Sequence, residues 1–442
     1  MSYSQVNDSL MIKKIVDETM TNSTSYENLR ILCKQVGQRL SGSSNYMKAV
    51  DLTSKMMKKL GVDTVYLQPC MVPHWVRGQK ETGYIIMRNG KKHVLNLTAL
   101  GNSVGSGQKG ITATIVEVRS MTELDQLGER GIKGKIVFFN FKMNPTYIQT
   151  FRAYEESGIS RGRGPSLAGK YGAVGAMVRS LGINPNNEPH TGATNYNPQY
   201  PKIPAVAIST NDADFLSDAL KNGFVSKGYF KTNSQMLPDV RAFNVIGEIK
   251  GSDFPNEIVT VGGHLDSWDL AEGANDDGTG VVQSMEVLRT LIANGIKPKR
   301  TIRAVLFANE ENGGRGAAAY LAAAKANNEK HIFALESDNG GFTPRGFSFE
   351  MTDTQQKAIS KWKDLFYPYG VYFFTQGGSG SDVGPLKELG TALAELSPDS
   401  QRYFDIHHTP TDVFENVSRR ELFLGAANMA GLIYLISQYG LL

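Results

Sequence analysis

The stretch Ile258-Val-Thr-Val-Gly-Gly-His264-Leu-Asp266, with its continuation Ile302-Arg-Ala-Val-Leu-Phe307-Ala-Asn-Glu310-Glu311, decides the fold. Both apolar runs have the length and β-branched content of buried strands, and each ends in a polar cluster. Between them, residues 278–294 place apolar side chains at helical spacing, and Gly295 supplies a stop signal. This strand–helix–strand unit predicts an α/β fold, in which sites lie at the carboxyl ends of the strands.

The composition is that of an ordinary globular protein. The chain has 442 residues, 40% of them hydrophobic and 20% charged, and a formal net charge of +4. This length predicts two domains, one of them inserted in the other. There is no dense block of Lys and Arg with interleaved aromatic residues, so we expect no nucleic-acid binding.

The cysteines and the apolar runs bear on the compartment. Cys33 and Cys70 are too few for a tetrahedral thiolate metal site, and the sequence leaves open whether they pair or are simply buried. No run reaches the about 18 apolar residues of a membrane span, and the first residues lack the pattern of a secretory signal. We therefore expect no transmembrane segment, and either a soluble protein or the mature part of an exported one.

The rest of the chain changes character near residue 73. Before it, residues 26–36 and 46–60 show helical periodicity and residues 64–67 the pattern of a strand. After it come short predicted strands between glycine-rich turns, at residues 84–87, 93–97, 111–118 and 135–139. Residues 143–169 are predicted to form a loop. The pattern indicates a β-rich insert.

Histidines and carboxylates that follow strand-like runs or lie in turns form a candidate ligand set: His264, Asp276, Glu311, Asp338 and His408. Two imidazoles and three carboxylates suit a pair of zinc ions, with one carboxylate bridging them. The sequence separations are too long for a local finger, so only a folded sheet would bring these groups together. From the residues alone, structural roles stay equally open, such as hydrogen-bonding histidines, helix caps and a solvated helix start.

These residues belong to motifs that follow one another in the order Gly263-His264-Leu-Asp266-Ser-Trp-Asp269, Gly273-Ala-Asn-Asp276-Asp277-Gly278, Asn309-Glu310-Glu311-Asn-Gly-Gly314, Glu336-Ser-Asp338 and His407-His408-Thr-Pro-Thr-Asp412. In this order they resemble the M28 family of zinc aminopeptidases and carboxypeptidases. Three further stretches resemble the protease-associated domain that one branch of this family carries as an insert: Gly134-Lys-Ile-Val137, Lys170-Tyr-Gly-Ala-Val-Gly-Ala176 and Ile203-Pro-Ala-Val-Ala-Ile208. The resemblance covers nearly the whole chain.

The resemblance implies metal ligands. His264 and Asp338 would hold one zinc ion, Glu311 and His408 the other, and Asp276 would bridge the two. The implied cofactor is therefore Zn²⁺, two ions per chain.

The resemblance also implies catalytic residues. Glu310, next to a ligand but not one itself, would be the general base that takes the proton of the attacking water and passes it to the leaving amine. Asp266 would orient the imidazole of His264. His407 would polarise the carbonyl oxygen in the transition state. The Asp276–Asp277 bond would be a non-proline cis peptide.

At the level of the whole protein, the resemblance implies a zinc-peptidase (phosphorylase/hydrolase-like) three-layer α/β sandwich around a mixed sheet. Residues 1–75 and 241–442 would form the peptidase domain, and residues 76–240 the inserted, β-rich protease-associated domain. The substrates would be dipeptides or short peptides, cleaved by an aminopeptidase, carboxypeptidase or dipeptidase activity. We expect an extracellular or periplasmic protein, with the cytoplasm as the alternative, and leave a homodimer open.

Other functions fit less well. A glutaminyl cyclase-like acyltransferase would use one zinc ion, and a non-catalytic interaction protein would have lost ligands, whereas the ligand set here is complete. Residues 101–105 match a nucleophile elbow and residues 105–110 a dinucleotide fingerprint, but neither has the required strand before it and helix after it. The remaining histidines are expected to be structural: His74, His93, His190 and His331.

A glycine-rich stretch, Gly377-Gly-Ser-Gly-Ser-Asp382-Val-Gly, lies between Asp338 and His408 in sequence. Its glycines would let the backbone approach a ligand closely. We expect Asp382 to pair with the free amine of a substrate, with a plain flexible turn as the alternative.

Overall fold

The computed structural model describes residues 3–441. It divides the chain into two compact units. The first unit comprises the chain up to Val72, Asp239–Ser400 and the chain from Asp412 onward, and the second comprises Pro73–Pro238 and Gln401–Thr411. The sequence-based boundaries, at residues 75/76 and 240/241, left the short segment Gln401–Thr411 in the peptidase domain, because its motif reads continuously with the residues that follow it.

The strands, in chain order, are β1 (Thr64–Val76), β2 (Thr82–Met87), β3 (Lys92–Val94), β4 (Leu97–Ala99), β5 (Ile111–Ala113), β6 (Ile115–Val118), β7 (Ile136–Phe139), β8 (Gly175–Arg179), β9 (Ala205–Ile208), β10 (Val225–Lys231), β11 (Gln235–Ile249), β12 (Phe254–His264), β13 (Arg300–Phe307), β14 (Lys330–Glu336), β15 (Pro344–Glu350), β16 (Phe373–Gln376) and β17 (Ala392–Pro398).

The α-helices are α1 (Tyr3–Asn22), α2 (Ser25–Ile31), α3 (Ser44–Lys59), α4 (Met121–Ile132), α5 (Thr150–Gly162), α6 (Gly164–Lys170), α7 (Thr210–Lys221), α8 (Thr279–Ala293), α9 (Arg315–Ala326), α10 (Asp353–Ser360), α11 (Lys363–Phe366), α12 (Tyr403–Ile406) and α13 (Arg419–Tyr439). Two π-helical turns, Leu32–Val36 and Ala274–Gly278, and three 3₁₀ turns, Tyr367–Tyr369, Gly384–Leu389 and Phe414–Asn416, complete the described helical segments.

The first unit contains a mixed eight-stranded sheet with the strand order β1-β11-β13-β12-β14-β17-β15-β16. Its centre is parallel: β12 pairs in parallel with β13 and with β14, and β14 pairs in parallel with β17. Because the predicted unit β12–α8–β13 joins two parallel neighbours, α8 is the crossover helix between them. Gly295, at φ 64°, follows its last turn, as the stop signal predicted.

Helices cover both faces of this sheet. Along β13, Ile302, Ala304 and Leu306 point into one apolar core, and Val305 and Phe307 point into another, because successive side chains of a strand alternate between faces. Side chains of α8 and α13 line the first core, and side chains of α9 line the second. The unit is therefore the three-layer α/β sandwich that the resemblance implied.

Helix α13 is long and apolar enough to cross a membrane by length and composition, but 78% of its most apolar window is buried inside the protein. It packs against α1 and α8. Burial in the core of the first unit therefore accounts for its apolar surface.

The second unit contains a four-stranded sheet, β3-β2-β10-β5, and a five-stranded sheet, β4-β9-β8-β7-β6. In the larger sheet β6, β7, β8 and β9 run parallel, and β7 is buried along its whole length. Val137 and Phe139 face one apolar cluster, whereas Ile136 and Phe138 face the other. Both faces are covered, which explains why this stretch reads as a continuous apolar run.

The structure corrects some sequence-based expectations. Residues 143–169 are not a plain loop, because they contain α5 and most of α6; their small and polar residues hide the helical period. The helices α1 and α13 were not predicted. Cys33 and Cys70 do not pair: both are free and buried, and burial raises the pKa of their thiols to about 12 and about 11.

Candidate metal centre

The carboxyl ends of β12, β13 and β14 meet at one edge of the sheet. In the parallel register His264 lies beside Phe307, and Gly262 lies beside Glu336. The polar clusters that follow these strands in sequence are therefore neighbours in space. This edge collects His264, the Asn309–Glu311 turn and Asp338 from three separate parts of the chain.

His264 holds its ring in a defined orientation. Its Nδ1 lies 3.0 Å from the main-chain carbonyl of Asp266, so Nδ1 donates and Nε2 is the nitrogen that can bind a metal once it has lost its proton. Nε2 lies 3.1 Å from Oδ1 of Asp338 and 3.2 Å from Oδ1 of Asp276. Ligand atoms of these three residues all lie within 4.8 Å of one another. One imidazole nitrogen and two carboxylate oxygens at this spacing form a donor set that suits zinc.

Asp276 sits in the π-helical turn Ala274–Gly278, before α8. The Asp276–Asp277 peptide bond is cis, as the resemblance predicted. The carboxylate of Asp412 supports the turn by accepting from the backbone N–H groups of Asn275 at 2.8 Å and Asp276 at 3.1 Å. Asp412 is the last residue of the motif that begins at His407, but the motif alone does not indicate this supporting role. Its position four residues after His408 is the signal that the sequence offers.

Asp277 anchors the end of β12. Its Oδ2 accepts from the backbone N–H of His264 at 3.0 Å, and its Oδ1 accepts from Gly280 at 2.9 Å. Gly263 makes this approach possible, because a Cβ there would lie 2.4 Å from Asp277 Oδ2. Asp277 thus combines the cap role considered from the sequence with a link to His264.

Glu310 and Glu311 lie in a tight turn that begins at Asn309, whose φ is 67°. The backbone N–H of Glu310 donates to Oδ1 of Asp266 at 3.1 Å, and Oε1 of Glu311 accepts from the N–H of Trp268 at 3.2 Å. The carboxylate of Asp266 lies 3.8 Å from Nδ1 of His264. Its closer contact is with the Glu310 backbone, and its main-chain carbonyl is the group that contacts the imidazole.

Buried arginine also shapes this region. Arg39 is fully buried and donates to three backbone carbonyls, those of Leu265, Glu272 and Gly273. It therefore fixes the loop between β12 and the π-helical turn. Nothing in the local sequence pattern indicates this role, because the contacts are to backbone atoms more than 200 residues away.

The cluster is rich in negative charge. None of five buried or half-buried carboxylates has a lysine or arginine ion-pair partner among residues 3–441: Asp266, Asp277, Glu336, Asp338 and Asp382. Burial raises the pKa of Asp338 to about 7 and that of Asp266 to about 6. Burial lowers the pKa of His264, but the carboxylates of Asp338 and Asp276 outweigh it and raise that pKa well above its ordinary value.

Asp382 does not fit the role expected for it. It is only 1% exposed, and neither of its carboxylate oxygens has a hydrogen-bond partner. Its backbone N–H donates to Oε2 of Glu336 at 2.9 Å. Burial, and then the charge of Glu336, raise the pKa of Asp382 well above its ordinary value. A substrate amine has no exposed carboxylate to meet here, so the glycine-rich stretch buries Asp382 and does not present it.

His407 and His408 belong to the second unit. Their rings stack with centroids 3.5 Å apart, and His408 has a φ of 60°. Nδ1 of His408 lies 3.2 Å from the carbonyl of Thr191 and 3.4 Å from Nη1 of Arg161. A carbonyl only accepts and a guanidinium only donates, so the shorter contact assigns the proton to Nδ1 and the lone pair to Nε2.

Three of the remaining histidines make structural contacts. His93 lies 2.9 Å from Asp212, and His331 lies 3.0 Å from Glu329. His190 is buried, and burial, followed by the positive charge of its neighbours, lowers its pKa to about 3. These contacts agree with the structural role expected for them.

Comparisons with known proteins place these features in a family. Residues 244–433 match the profile described as Peptidase family M28. Carboxypeptidase Q of Bos taurus is 33% identical over 428 residues, which cover 96% of this chain and 88% of the bovine protein.

Solved structures agree with this result. A structure described as a peptidase M28 precursor from Shewanella amazonensis SB2B matches with a TM-score of 0.93 at 32% identity, over 98% of this chain and 97% of that one. BSAP, a zinc aminopeptidase from Bacillus subtilis, matches with a TM-score of 0.66 at 20% identity, over 94% and 95% of the two chains. The second likeness is one of fold alone.

Proposed function

Because the chain belongs to peptidase family M28, we propose that this metallopeptidase is a di-zinc exopeptidase that hydrolyses dipeptides or short peptides. The observation that supports this most strongly is the position of His264 Nε2, 3.1 and 3.2 Å from carboxylate oxygens of Asp338 and Asp276. A cation between these three donors would relieve the repulsion between the two carboxylates.

We assign the ligands residue by residue. His264 and Asp338 would hold one zinc ion, Glu311 and His408 would hold the other, and Asp276 would be the ligand shared by both. The short distances around His264 support the first ion and the bridge. The motif order, and not a distance, supports the assignment of Glu311 and His408. The Nδ1–Thr191 contact supports a ligand role for His408, since it leaves the lone pair on Nε2.

When bound, the zinc ions supply a Lewis acid that polarises the scissile carbonyl and lowers the pKa of the attacking water. Glu310 takes the proton of that water on its carboxylate and gives it to the leaving amine. Asp266 positions Glu310 through the backbone hydrogen bond at 3.1 Å. His407 donates to the oxyanion that forms on the carbonyl oxygen.

The remaining parts of the proposal concern the whole protein. The second unit is the protease-associated domain, a proposal that rests on the three resembling stretches. We propose an extracellular or periplasmic location, in line with the description of the Shewanella protein as a precursor. The protein could be a monomer or a homodimer, and light scattering of the purified chain would distinguish the two.

Digestion of a small panel tests the function. The purified, zinc-loaded chain is incubated with dipeptides, with N-acetylated and C-amidated analogues, and with longer peptides blocked at both ends. Cleavage of the unblocked dipeptides and none of the doubly blocked peptides is expected. Cleavage inside doubly blocked peptides would contradict an exopeptidase, and cyclisation of N-terminal glutamine without hydrolysis would favour the acyltransferase alternative.

A further inference from the structure

Arg161, on α5 of the second unit, is a half-buried arginine without a counterion. Among residues 3–441 no carboxylate lies within ion-pair distance of it. By contrast, Arg179 pairs with Asp214 and Arg303 with Glu329, and the fully buried Arg39 donates to three backbone carbonyls. Arginine is rarely withdrawn from water unless it is paired. An unpaired guanidinium in this position therefore calls for an anion from outside the chain.

The guanidinium also has donors to spare. Nη2 donates to the hydroxyl of Tyr154 at 2.5 Å. Nη1 has two long contacts, 3.5 Å to the carbonyl of Thr191 and 3.4 Å to Nδ1 of His408, and the second faces a nitrogen that already carries a proton. Nε is buried and has no acceptor. Leaving a buried donor without an acceptor is unfavourable, so a ligand that accepts from this group would stabilise the site.

The backbone makes room for this side chain. Gly192 has a φ of 129°, and a Cβ at this position would lie 2.5 Å from Cζ of Arg161 and 2.6 Å from its Nη1. The guanidinium thus lies against a stretch of backbone that only glycine allows. The site is built around the arginine, and is more than a surface side chain in a chance position.

The other groups near Arg161 are aromatic or basic. Tyr154 lies under the guanidinium, with Cζ 5.2 Å from the ring centre. Nδ1 of His408, the other ring group beside the guanidinium, lies 3.4 Å from Nη1. The surroundings therefore favour a negative group and disfavour the ammonium group of a substrate.

We propose that Arg161 binds the free carboxylate at the C-terminus of the substrate, so that the enzyme acts as a carboxypeptidase or dipeptidase and not as an aminopeptidase that accepts long peptides. This inference rests on the proposed function, because it uses His408 as a metal ligand. A guanidinium binds a carboxylate through a planar pair of donors, which lysine does not offer.

The length of a peptide residue agrees with this placement. Bond lengths put the carboxylate carbon of a C-terminal residue about 4 Å from the carbonyl carbon of the bond to be cleaved. A group that binds this carboxylate must therefore lie within one residue's length of the metal ligands. Arg161 contacts one of them, His408, directly.

Matched substrates test the proposal. The kcat/KM of the zinc-loaded full chain is measured for a dipeptide and for its C-terminal amide, in the native protein and in Arg161→Met, Arg161→Lys and Arg163→Met. The native protein should prefer the acid. Arg161→Met should lower kcat/KM for the acid by roughly 10- to 150-fold, the range expected for hydrogen bonds to a charged group, and should narrow the acid–amide ratio to near one. Arg161→Lys should recover part of the preference, and the exposed Arg163 is the control that should leave the ratio as it is.

Two further measurements distinguish binding of the substrate carboxylate by Arg161 from an indirect effect of Arg161 on His408. Zinc content should be unchanged in Arg161→Met. Calorimetry with a dipeptide whose peptide bond is reduced to an amine should show that the acid binds more tightly than its amide, and that Arg161→Met removes this difference. Gly192→Ala, which displaces the guanidinium without removing it, should also reduce the acid–amide ratio, provided that its thermal unfolding matches the native protein.

The outcomes distinguish this inference from the proposed function. If the native protein cleaves amide and acid equally well, or if Arg161→Met lowers both by the same factor, Arg161 does not bind the carboxylate, while the peptidase stands. If neither substrate is cleaved, the proposed function fails, and the calorimetric difference between acid and amide still decides whether Arg161 binds a carboxylate.

Discussion

Two groups of charged side chains lie along strands β12, β13 and β14. The group around Arg303 is ion-paired within the protein, whereas the carboxylates at the carboxyl ends of the strands are not paired with lysine or arginine in the described part of the chain. In the first half of the strands, Arg303 of β13 pairs with Glu248 at 2.9 Å and Glu329 at 2.8 Å, and Glu329 also contacts His331 at 3.0 Å. At the carboxyl ends, by contrast, no lysine or arginine pairs, within residues 3–441, with any of Asp266, Asp277, Glu336, Asp338 or Asp382.

The pKa values reflect this difference. Burial raises the pKa of Glu329, but hydrogen bonds from His331 and Arg303 outweigh it and lower the pKa to about 2. Burial raises the pKa of Asp338 to about 7. The first carboxylate is stabilised in its charged form by the protein itself, whereas the second needs a proton or a cation. The ion-paired charges around Arg303 therefore stabilise the fold, and the unpaired carboxylates at the strand ends indicate the metal site.

The largest effect should follow from removing Asp276, the proposed bridging ligand. Asp276→Ala should lose nearly all activity together with zinc, because both ions lose a charged ligand. His408→Ala should remove chiefly one ion. Zinc is measured by mass spectrometry and turnover with a dipeptide. An Asp276→Ala protein that keeps its full zinc content would show that this carboxylate does not bridge.

Removing a carboxylate that is not a ligand should separate chemistry from metal binding. Glu310→Gln should lower kcat by about 10²- to 10⁴-fold, because the amide cannot take the proton of the attacking water. Its zinc content and unfolding should match the native protein. Glu257→Gln, at the other end of β12, is the matched control and should keep its turnover. Near-native kcat in Glu310→Gln would assign the base to another residue.

A mutation in the ion-paired group around Arg303 should lower the stability of the protein and leave its activity unchanged. Arg303→Met leaves the half-buried Glu248 and Glu329 without their cation, so we expect a loss of about 3 kcal/mol in the free energy of unfolding, at the lower end of the range for buried ion pairs. Zinc content and turnover of the folded protein should not change. The change is measured by urea unfolding. Loss of zinc in Arg303→Met would mean that metal binding depends on the ion pairs of Arg303.

The smallest effect is the pH dependence of the zinc-free protein, prepared by chelation. The raised pKa values of Asp338 and Asp266, about 7 and about 6, mean that the folded protein takes up protons before the unfolded chain does. Stability should therefore rise as the pH falls from 8 to 5, by about 1.4 kcal/mol per pH unit for each proton taken up. His190 opposes part of this rise, because its pKa of about 3 means that only the unfolded chain takes up its proton in this range.

Glu329 contributes in the opposite direction. Its lowered pKa, about 2, stabilises the fold above pH about 4, and this contribution is lost as the pH falls toward 2. Urea unfolding at pH 8, 5 and 3 measures both effects. With zinc restored, the order between pH 8 and pH 5 should reverse, because protons compete with the metal for the same groups. A zinc-free protein that is less stable at pH 5 than at pH 8 would contradict the conclusion that Asp338 and Asp266 are unpaired carboxylates with raised pKa values.

The sequence predicted those parts of the fold that local pattern determines. The unit β12–α8–β13 and the buried run of β7 carry a clear period or a continuous apolar run, and the motifs located His264 and Asp276 on neighbouring elements. The pattern did not predict α5, whose small and polar residues lack an apolar stripe. Nor could it predict the depth at which a side chain is buried: Asp382 lies in a glycine-rich stretch that looks like an exposed loop, yet it is 1% exposed.

Long-range contacts to backbone atoms were also beyond the sequence. Arg39 holds the loop after β12 through carbonyls, and Asp412 holds the Asn275–Asp276 backbone, and neither contact leaves a periodic signal. In the sequence, Arg161 lies in an Arg-Gly-Arg-Gly stretch that indicates no function by itself. Its significance depends on the absence of a counterion, and only the arrangement of the folded residues 3–441 reveals this.

One measurement decides whether metal ions neutralise the carboxylates at the carboxyl ends of β12, β13 and β14. Zinc and protein are quantified together, by mass spectrometry and amino-acid analysis, in the full chain purified without added chelator and dialysed against trace zinc. We predict about two zinc ions per chain, falling to about one in His408→Ala. A native protein that binds no zinc, or only one ion with no further loss in His408→Ala, would contradict the di-zinc centre.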